Sequence, residues 1–249
     1  MIGLLNLDPN PHAIIDPFRD EGYVFPERML FAFVDAQRID EFCRTHHGRV
    51  VGTFETVSNV FHVQQVRIDG QTIGICRAPL GAAAATQLLE FLIAYGARQI
   101  IATGSCGVLT QQAENEFLIV ARALRDEGTS FHYLPAANSI TLNADFAARI
   151  QTAIGAQGYA AKLVASWTTD AFFRETAGKV AARIAAGYTV VEMECAALAA
   201  CAQFRHALFG QILFTADSLA AAAGHDARDF GMNARMTALD LGSRCLAQL

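Results

Sequence analysis

Two apolar runs that end in acidic residues are the feature that most constrains the fold of this chain. Residues 190–191 stop at Glu192-Met193-Glu194, and residues 212–216 stop at Asp217. Short β-branched and apolar runs of this kind favour buried strands. Ligands of an α/β sheet bind outside the carboxyl ends of its strands. The pattern therefore predicts three carboxylates at one rim of a sheet.

Strand-like and helix-like segments alternate along most of the chain. The predicted strands are 29–34, 61–68, 72–77, 98–103, 116–120, 159–165, 188–191 and 207–214, and the predicted helices are 36–47, 82–95, 142–156, 176–186, 193–204 and 227–247. Such alternation is typical of a parallel sheet covered by helices on both faces. Asp69-Gly70 indicates one antiparallel hairpin. We expect an α/β fold with three αβα layers around a central mixed, mostly parallel sheet.

Length and composition indicate one domain. The chain has 249 residues, 53% of them hydrophobic, which is enough for one large core, and no linker-like stretch interrupts it. We therefore predict a single domain over residues 1–249. Residues 1–28 form a proline-containing N-terminal extension, which we expect to wrap the surface or a partner subunit.

Charge and cysteine usage exclude several classes of partner. The net charge is −5 with no basic run, so we expect no nucleic-acid partner. The sequence has no signal-peptide pattern, and its apolar segment 82–103 carries polar residues, so we expect no membrane partner. The six cysteines form no Cys-x-x-Cys pair and the histidines no metal-like spacing. Free thiols, a cytoplasmic location and no metal site follow as expectations.

Four segments together resemble the nucleoside phosphorylase superfamily. That family includes the purine nucleoside and uridine phosphorylases and the methylthioadenosine/adenosylhomocysteine nucleosidases. The segments are 100–107, 169–173, 191–194 and 216–217, and they run in the family's order over roughly residues 30–245. The resemblance implies the family's fold and cleavage of the N-glycosidic bond of a small-molecule nucleoside. It also implies a homodimer or an assembly of dimers, and no cofactor beyond inorganic phosphate as co-substrate.

Asp217 is the candidate catalytic acid. A purine leaves more easily once its N7 is protonated, and a carboxyl group at a half-buried rim can supply that proton. The resemblance implies a purine substrate, because purine-specific members carry aspartate at this position. Alternatively, Asp217 caps the turn that follows it.

Glu194 is the candidate ribose-binding residue. A carboxylate can accept hydrogen bonds from two adjacent hydroxyls and stays close to the cation that develops on the sugar. Glu192 would support Glu194, and Met193 would pack against the sugar. Alternatively, both glutamates simply favour the N-terminus of the following helix.

The other candidate ligand contacts lie on two earlier segments. Phe172 would stack on the base, although an aromatic pair such as Phe172-Phe173 is equally typical of a core. The glycine-rich loop 104–107 offers backbone N–H groups that suit an anion, and the resemblance implies that it binds phosphate through Gly104 and Ser105 and the base through Cys106 and Gly107. Alternatively, this loop is an ordinary turn.

The phosphate side of the family pattern is incomplete. Ala102 and Asn59 stand where the resemblance would place arginines, and Arg38 is the family-type anion ligand that remains. Arg77 could substitute for the missing arginines in space. The first hypothesis is therefore phosphorolysis of a purine nucleoside. A hydrolytic nucleosidase for methylthioadenosine- or adenosylhomocysteine-like substrates and a non-catalytic nucleoside-binding relative are the alternatives.

Overall fold

The computed structural model describes residues 3–221 and 224–249. Strands and α-helices alternate through this part of the chain. In chain order they are β1 Arg28–Ala32, α1 Ala36–Thr45, β2 Arg49–Glu55, β3 Val60–Ile68, β4 Gln71–Arg77, α2 Ala82–Ala94, β5 Gln99–Val108, β6 Phe117–Asp126, β7 Ser139–Thr141, α3 Ala144–Ala156, β8 Ala161–Thr169, α4 Ala177–Ala185, β9 Val190–Glu192, α5 Cys195–Phe204, β10 Leu208–Ser218 and α6 Arg235–Gln248.

One sheet contains all of these strands. Its order is β10-β6-β8-β9-β5-β1-β4-β3-β2, and β7 pairs with β6. A further parallel pairing joins β10 to β5, so five strands close into a ring, with the remaining path from β1 to β2 extending from it. Antiparallel pairs occur at β5–β9 and β6–β10 as well as in the β2–β4 meander. The sheet is mixed, as predicted, with a larger antiparallel share than the sequence led us to expect.

Helices cover both faces of this sheet. On one face, α2 and α5 bury Leu88, Leu92 and Leu198 against it. On the other face, α1, α3 and α6 contribute a second cluster that includes Phe146 and Leu239. A fully buried leucine or phenylalanine contributes roughly 1.5–3 kcal/mol through removal from water. These two apolar layers confirm the predicted αβα arrangement.

The glycine-rich segment 104–107 is not a loop, which corrects the prediction. It belongs to β5 and pairs with β10 on one side and β9 on the other. Its glycines reflect crowding: a Cβ at Gly104 would lie 2.9 Å from the Cβ of Phe33, and one at Gly107 would lie 3.0 Å from Val191. The small residues of this segment predict a turn, whereas in the structure they allow β5 to pack closely against its neighbours.

Several element boundaries also differ from prediction. β10 continues to Ser218, so Asp217 lies within the strand, and α6 begins only at Arg235 rather than at residue 227. The predicted helix 193–204 begins at Cys195. The predicted strands do not include β2, an edge strand with only two buried residues, or β7, which has only three residues.

The N-terminal extension lies against the ends of α2 and α5. The Tyr95 hydroxyl, at the end of α2, accepts a hydrogen bond from the backbone N–H of Arg19, and the Phe18 ring lies 5.0 Å from the Tyr95 ring. Arg205, at the end of α5, donates to the Pro11 carbonyl. In the part of the chain that the structure describes, no helix is both long and apolar enough to cross a membrane.

Gly210 is predicted to be essential for the packing of α3 on β10. A Cβ at this position would lie 2.4 Å from Cδ1 of Ile150 and 3.2 Å from the ring of Phe146, both in α3. Gly210→Val should therefore lower the free energy of unfolding by about 1–3 kcal/mol, the usual cost of overpacking a core. Denaturant unfolding measures this change.

Gly155→Ala, within α3 itself, is the matched control. A Cβ at Gly155 has no neighbour within 4 Å, so alanine should raise helix stability by roughly 0.5–1 kcal/mol. Equal effects of the two substitutions would contradict this description of the contact.

Candidate active site

A cavity of about 670 Å³ lies along the C-terminal half of β5, the end of β9 and residues 211–217 of β10. The predicted carboxylates of β9 and β10 both line it, although β9 runs antiparallel to β5. Its lining residues are Phe33, Leu80, Gly104–Gly107, Asp170–Glu175, Val191–Glu194, Gln211 and Asp217. The structure therefore brings together nearly all of the predicted site residues, from four separate segments.

Glu192 is a buried structural carboxylate. Its Oε1 accepts hydrogen bonds from the hydroxyls of Ser166 (2.6 Å) and Thr168 (2.5 Å), and its Oε2 accepts from the backbone N–H groups of Glu194 (2.7 Å) and Cys195 (2.6 Å). Burial raises the pKa of Glu192, and these four donors oppose that rise. The carboxylate thus joins β8 to the start of α5, as the helix-terminus alternative proposed.

Glu194 projects from the N-terminal end of α5 and is 5% exposed. One carboxyl oxygen accepts a 2.6 Å hydrogen bond from the backbone N–H of Gly81, which precedes α2 with φ +94°. Burial and the nearby charge of Glu192 raise the pKa of Glu194 to about 8. In the unliganded protein this carboxyl group is therefore mostly protonated at neutral pH.

Asp217 is paired with a histidine that the sequence did not suggest. Its Oδ2 lies 2.8 Å from Nε2 of His225, and its side chain is 12% exposed. Glu175 lines the same cavity, and burial together with the charge of Asp217 raises the pKa of Glu175 to about 7. Two carboxyl groups and one imidazole therefore meet at this end of the cavity.

The aromatic pair lies at the mouth of the cavity. Phe172 is 47% exposed and Phe173 is 94% exposed, and their ring centroids are 5.0 Å apart. The core alternative for this pair is therefore wrong. Asp170, just before them, accepts a hydrogen bond from the Gly128 backbone N–H at 2.8 Å and ties the segment to the residues after β6.

The segment of β5 that faces the cavity offers one exposed hydroxyl. Ser105 is exposed, whereas Cys106 is buried and its thiol contacts the Phe214 carbonyl. Burial raises the pKa of Cys106 well above the usual range. A thiol of this kind is a poor nucleophile.

The predicted phosphate arginines have other partners in the structure. Arg38 pairs with Asp35 at 2.7 Å, which caps α1, and does not line the cavity described above. Arg77 donates to Asn59 at 3.0 Å and lies over the Phe61 ring. Phosphate binding by Arg38 stays a prediction that these contacts do not support. The i,i+3 spacing of Asp35 and Arg38 at the start of the predicted helix 36–47 was a usable signal for this ion pair.

The cavity lining is strongly acidic. Among the described residues that line it, five are carboxylic acids and Arg174 is the one cation. The described residues also include no cluster of histidine, cysteine or acidic side chains that could hold a metal ion. This arrangement suits proton transfer and the stabilisation of a developing positive charge more than the binding of a highly charged anion.

Four lining or paired residues were missed by sequence reasoning: Arg174, Glu175, Gln211 and His225. The first two directly follow the Phe172-Phe173 pair, so their position in the chain was a usable signal. Gln211 lies inside an apolar strand, where a lone glutamine stands out. His225 lies eight residues after Asp217 and becomes visible only through the fold.

The raised pKa of Glu194 predicts a specific pH dependence of stability. Between pH 5 and about 8 the folded protein keeps a proton on Glu194 that the unfolded chain releases. The free energy of unfolding should therefore fall as pH rises through this range, by on the order of 1 kcal/mol per pH unit from this group. Glu194→Gln should flatten the slope.

Denaturant unfolding at pH 5, 6, 7 and 8 measures this dependence, and Glu41→Gln, on the exposed side of α1, is the control. Parallel profiles for the wild type and Glu194→Gln would show that Glu194 is ionised in the folded protein throughout, contrary to its environment.

Comparison with known proteins agrees with this geometry. This chain is similar to the purine nucleoside phosphorylase from Toxoplasma gondii, which was solved in complex with immucillin-H. The alignment covers 90% of each chain, with 18% sequence identity and a TM-score of 0.77. The uridine phosphorylase from Vibrio fischeri is similar over 96% of this chain and 97% of its own, with 19% identity and a TM-score of 0.77. At these identities the likeness shows the fold.

A search of curated protein sequences finds no significant match. The family model described as the phosphorylase superfamily matches residues 30–247 and so covers most of the chain. That match includes β1 to α6 and every segment that lines the cavity. The chain belongs to the phosphorylase superfamily, the family that its four sequence motifs resembled.

Proposed function

We propose that this protein cleaves the N-glycosidic bond of purine nucleosides and transfers the pentose to inorganic phosphate. One observation carries the proposal: Asp217, Glu194 and Phe172 line the same cavity at the carboxyl ends of β9 and β10. An acid for the base and a carboxyl group beside the ribose suit this reaction, and an aromatic face can stack on the base.

On the base side, Asp217 protonates N7 of the leaving purine. As the C1′–N9 bond breaks, its electron pair moves to the base, and the proton neutralises the charge that develops there. His225 is hydrogen-bonded to the same carboxyl group, so it can return a proton to Asp217 after each turnover. Phe172 stacks on the purine at the open edge of the cavity.

On the ribose side, Glu194 accepts hydrogen bonds from the sugar hydroxyls. Its pKa of about 8 means that ionisation is favoured by bound hydroxyl donors and by positive charge on the sugar. The carboxylate then stabilises the oxocarbenium-like transition state more than the ground state. Glu192 fixes the backbone that carries Glu194, and Met193 packs against the sugar.

For the nucleophile, Gly104 and Ser105 offer a backbone segment and a hydroxyl, and Arg174 offers a positive charge on the same cavity. Phosphate bound by these groups, without several arginines, should bind weakly and in a salt-sensitive manner. The acidic lining also favours a second candidate: hydrolysis, in which water attacks C1′ and free ribose is released.

We also propose a homodimer or an assembly of dimers, because large apolar side chains remain exposed near the cavity mouth. These are Leu80, Phe172 and Phe173. The six cysteines are free and buried, which supports a cytoplasmic location.

A nucleoside panel with and without phosphate tests the proposed function. Adenosine, inosine, guanosine and uridine are incubated with the protein in a buffer free of other oxyanions, and free base, ribose and ribose 1-phosphate are quantified. We expect purine release that increases with phosphate concentration and yields ribose 1-phosphate. Asp217→Asn is the control for trace contaminating enzymes.

Each other outcome has a definite meaning. A rate independent of phosphate, with ribose as product, replaces phosphorolysis by hydrolysis. A preference for uridine contradicts the purine assignment. Binding of nucleosides with no product from any of them favours the non-catalytic alternative.

A further inference from the structure

Gln211 carries a buried carboxamide group on the wall of the cavity. The residue lies in β10, is 1% exposed and lines the cavity. Its Oε1 is buried without a hydrogen-bond partner among the described residues. Buried polar atoms in folded proteins are nearly always paired, so an unpaired one on a cavity-lining residue points to a partner that the protein itself does not supply.

The strand register explains why the Gln211 side chain has room to reach the cavity. Gln211 pairs with Ala102 of β5, so the two side chains lie next to each other on the same face of the sheet. Alanine offers only a methyl group there. Ala102 belongs to the apolar cluster beneath α2 and α5, which is the side from which Glu194 enters the cavity.

The position of Gln211 along β10 indicates which part of the reaction it serves. Asp217, the proposed proton donor to the base, lies six residues later on the same strand. In a displacement at C1′ the nucleophile approaches from the side opposite the leaving base. Gln211 lies at the other end of the part of β10 that lines the cavity, so its carboxamide is placed to contact the nucleophile.

We propose that the Gln211 carboxamide binds the attacking oxygen nucleophile and holds it in line with the C1′–N9 bond. This inference rests on the proposed function and adds a residue to it. The ligand is a small oxygen compound with an O–H group, either hydrogen phosphate or water. Its O–H donates to Oε1 of Gln211, and the Gln211 NH₂ group donates to an oxygen of the nucleophile.

The step balances with either nucleophile. The C1′–N9 bond breaks with its electron pair on the base, and a C1′–O bond forms from a lone pair of the nucleophile. The proton that the nucleophile loses after the C1′–O bond forms passes to solvent. Asp217 gives its proton to the base and regains one from solvent through the half-exposed His225, so both residues return to their starting states. Gln211 stays neutral throughout, which suits a cavity that already carries several carboxyl groups.

Gln211→Met tests this role, because methionine has a similar length and no hydrogen-bonding amide. We expect kcat/KM to fall about 10-fold, the usual effect of losing one hydrogen bond to a reacting group. The dissociation constant of the purine base should not change. The Tm should rise by about 2–4 °C, since an unpaired buried polar atom is removed. A purely structural role would lower the Tm and the rate together.

Gln99→Met is the matched control. Gln99 lies at the start of β5, does not line the cavity and also has a buried Oε1 without a partner. Its substitution should leave kcat/KM unchanged. Reactions with and without phosphate separate the two nucleophiles: a loss confined to ribose 1-phosphate formation identifies hydrogen phosphate, and a loss in ribose formation identifies water.

Unchanged kcat/KM in Gln211→Met in both reactions would overturn the inference, as would an equal loss in base affinity. If the wild type turns over no nucleoside, the proposed function fails by itself. The inference is then judged by inorganic phosphate alone. It holds if phosphate raises the Tm of the wild type but not of Gln211→Met, and it is overturned if the two respond alike or neither responds.

Discussion

The hydrogen bonds of the Glu192 carboxylate are the interaction on which the candidate site depends. This side chain accepts from two hydroxyls of β8 and from two backbone N–H groups at the start of α5. It thereby fixes the direction of α5 relative to the sheet. Loss of a buried acceptor of this kind leaves several donors unpaired, which costs far more than the net value of one hydrogen bond.

The position of Glu194 depends on the hydrogen bonds of Glu192. Its backbone N–H is one of the donors to Glu192, so its side chain is directed to the Gly81 N–H and into the cavity. The same proximity places two carboxyl groups close together in a buried setting. The result is a pKa raised to about 8, which favours the neutral form of the group. In the proposed reaction, hydroxyl donors and developing positive charge would favour its ionised form.

Carboxyl groups also lie close together at the other end of the cavity. Asp217, Glu175 and His225 share one region, and the imidazole offsets part of the repulsion between the carboxyl groups. Protons can therefore be held and exchanged at this end of the cavity. In the proposed reaction, the acidic lining would stabilise a cationic sugar and leave the nucleophile to be bound largely by neutral groups.

The sequence predicted much of this arrangement because strand ends and short motifs are local features. Residues 190–194 and 212–217 marked the rim, and the αβα layers followed from the alternation of strands and helices. The ring closed by β10 and β5 was not predictable in this way, because it depends on pairing between distant strands. The glycines of 104–107 were misread for the same reason, since crowding by Phe33 and Val191 appears only in three dimensions.

The site residues that sequence reasoning missed also depend on long-range contacts. His225 reaches Asp217 only because the chain turns back after β10. Gln211 becomes notable only through its pairing with Ala102 and its unsatisfied oxygen. Arg38, by contrast, fitted a motif, but the nearby Asp35 engages its charge.

The central claim is that Asp217 supplies the proton that lets a purine leave. The most direct test compares kcat/KM of the wild type and Asp217→Asn on guanosine and on N7-methylguanosine, whose base already carries a positive charge and needs no proton. We expect the substitution to cost about 10²–10⁴-fold on guanosine and little on the methylated nucleoside. Equal losses on both substrates would contradict proton donation by Asp217.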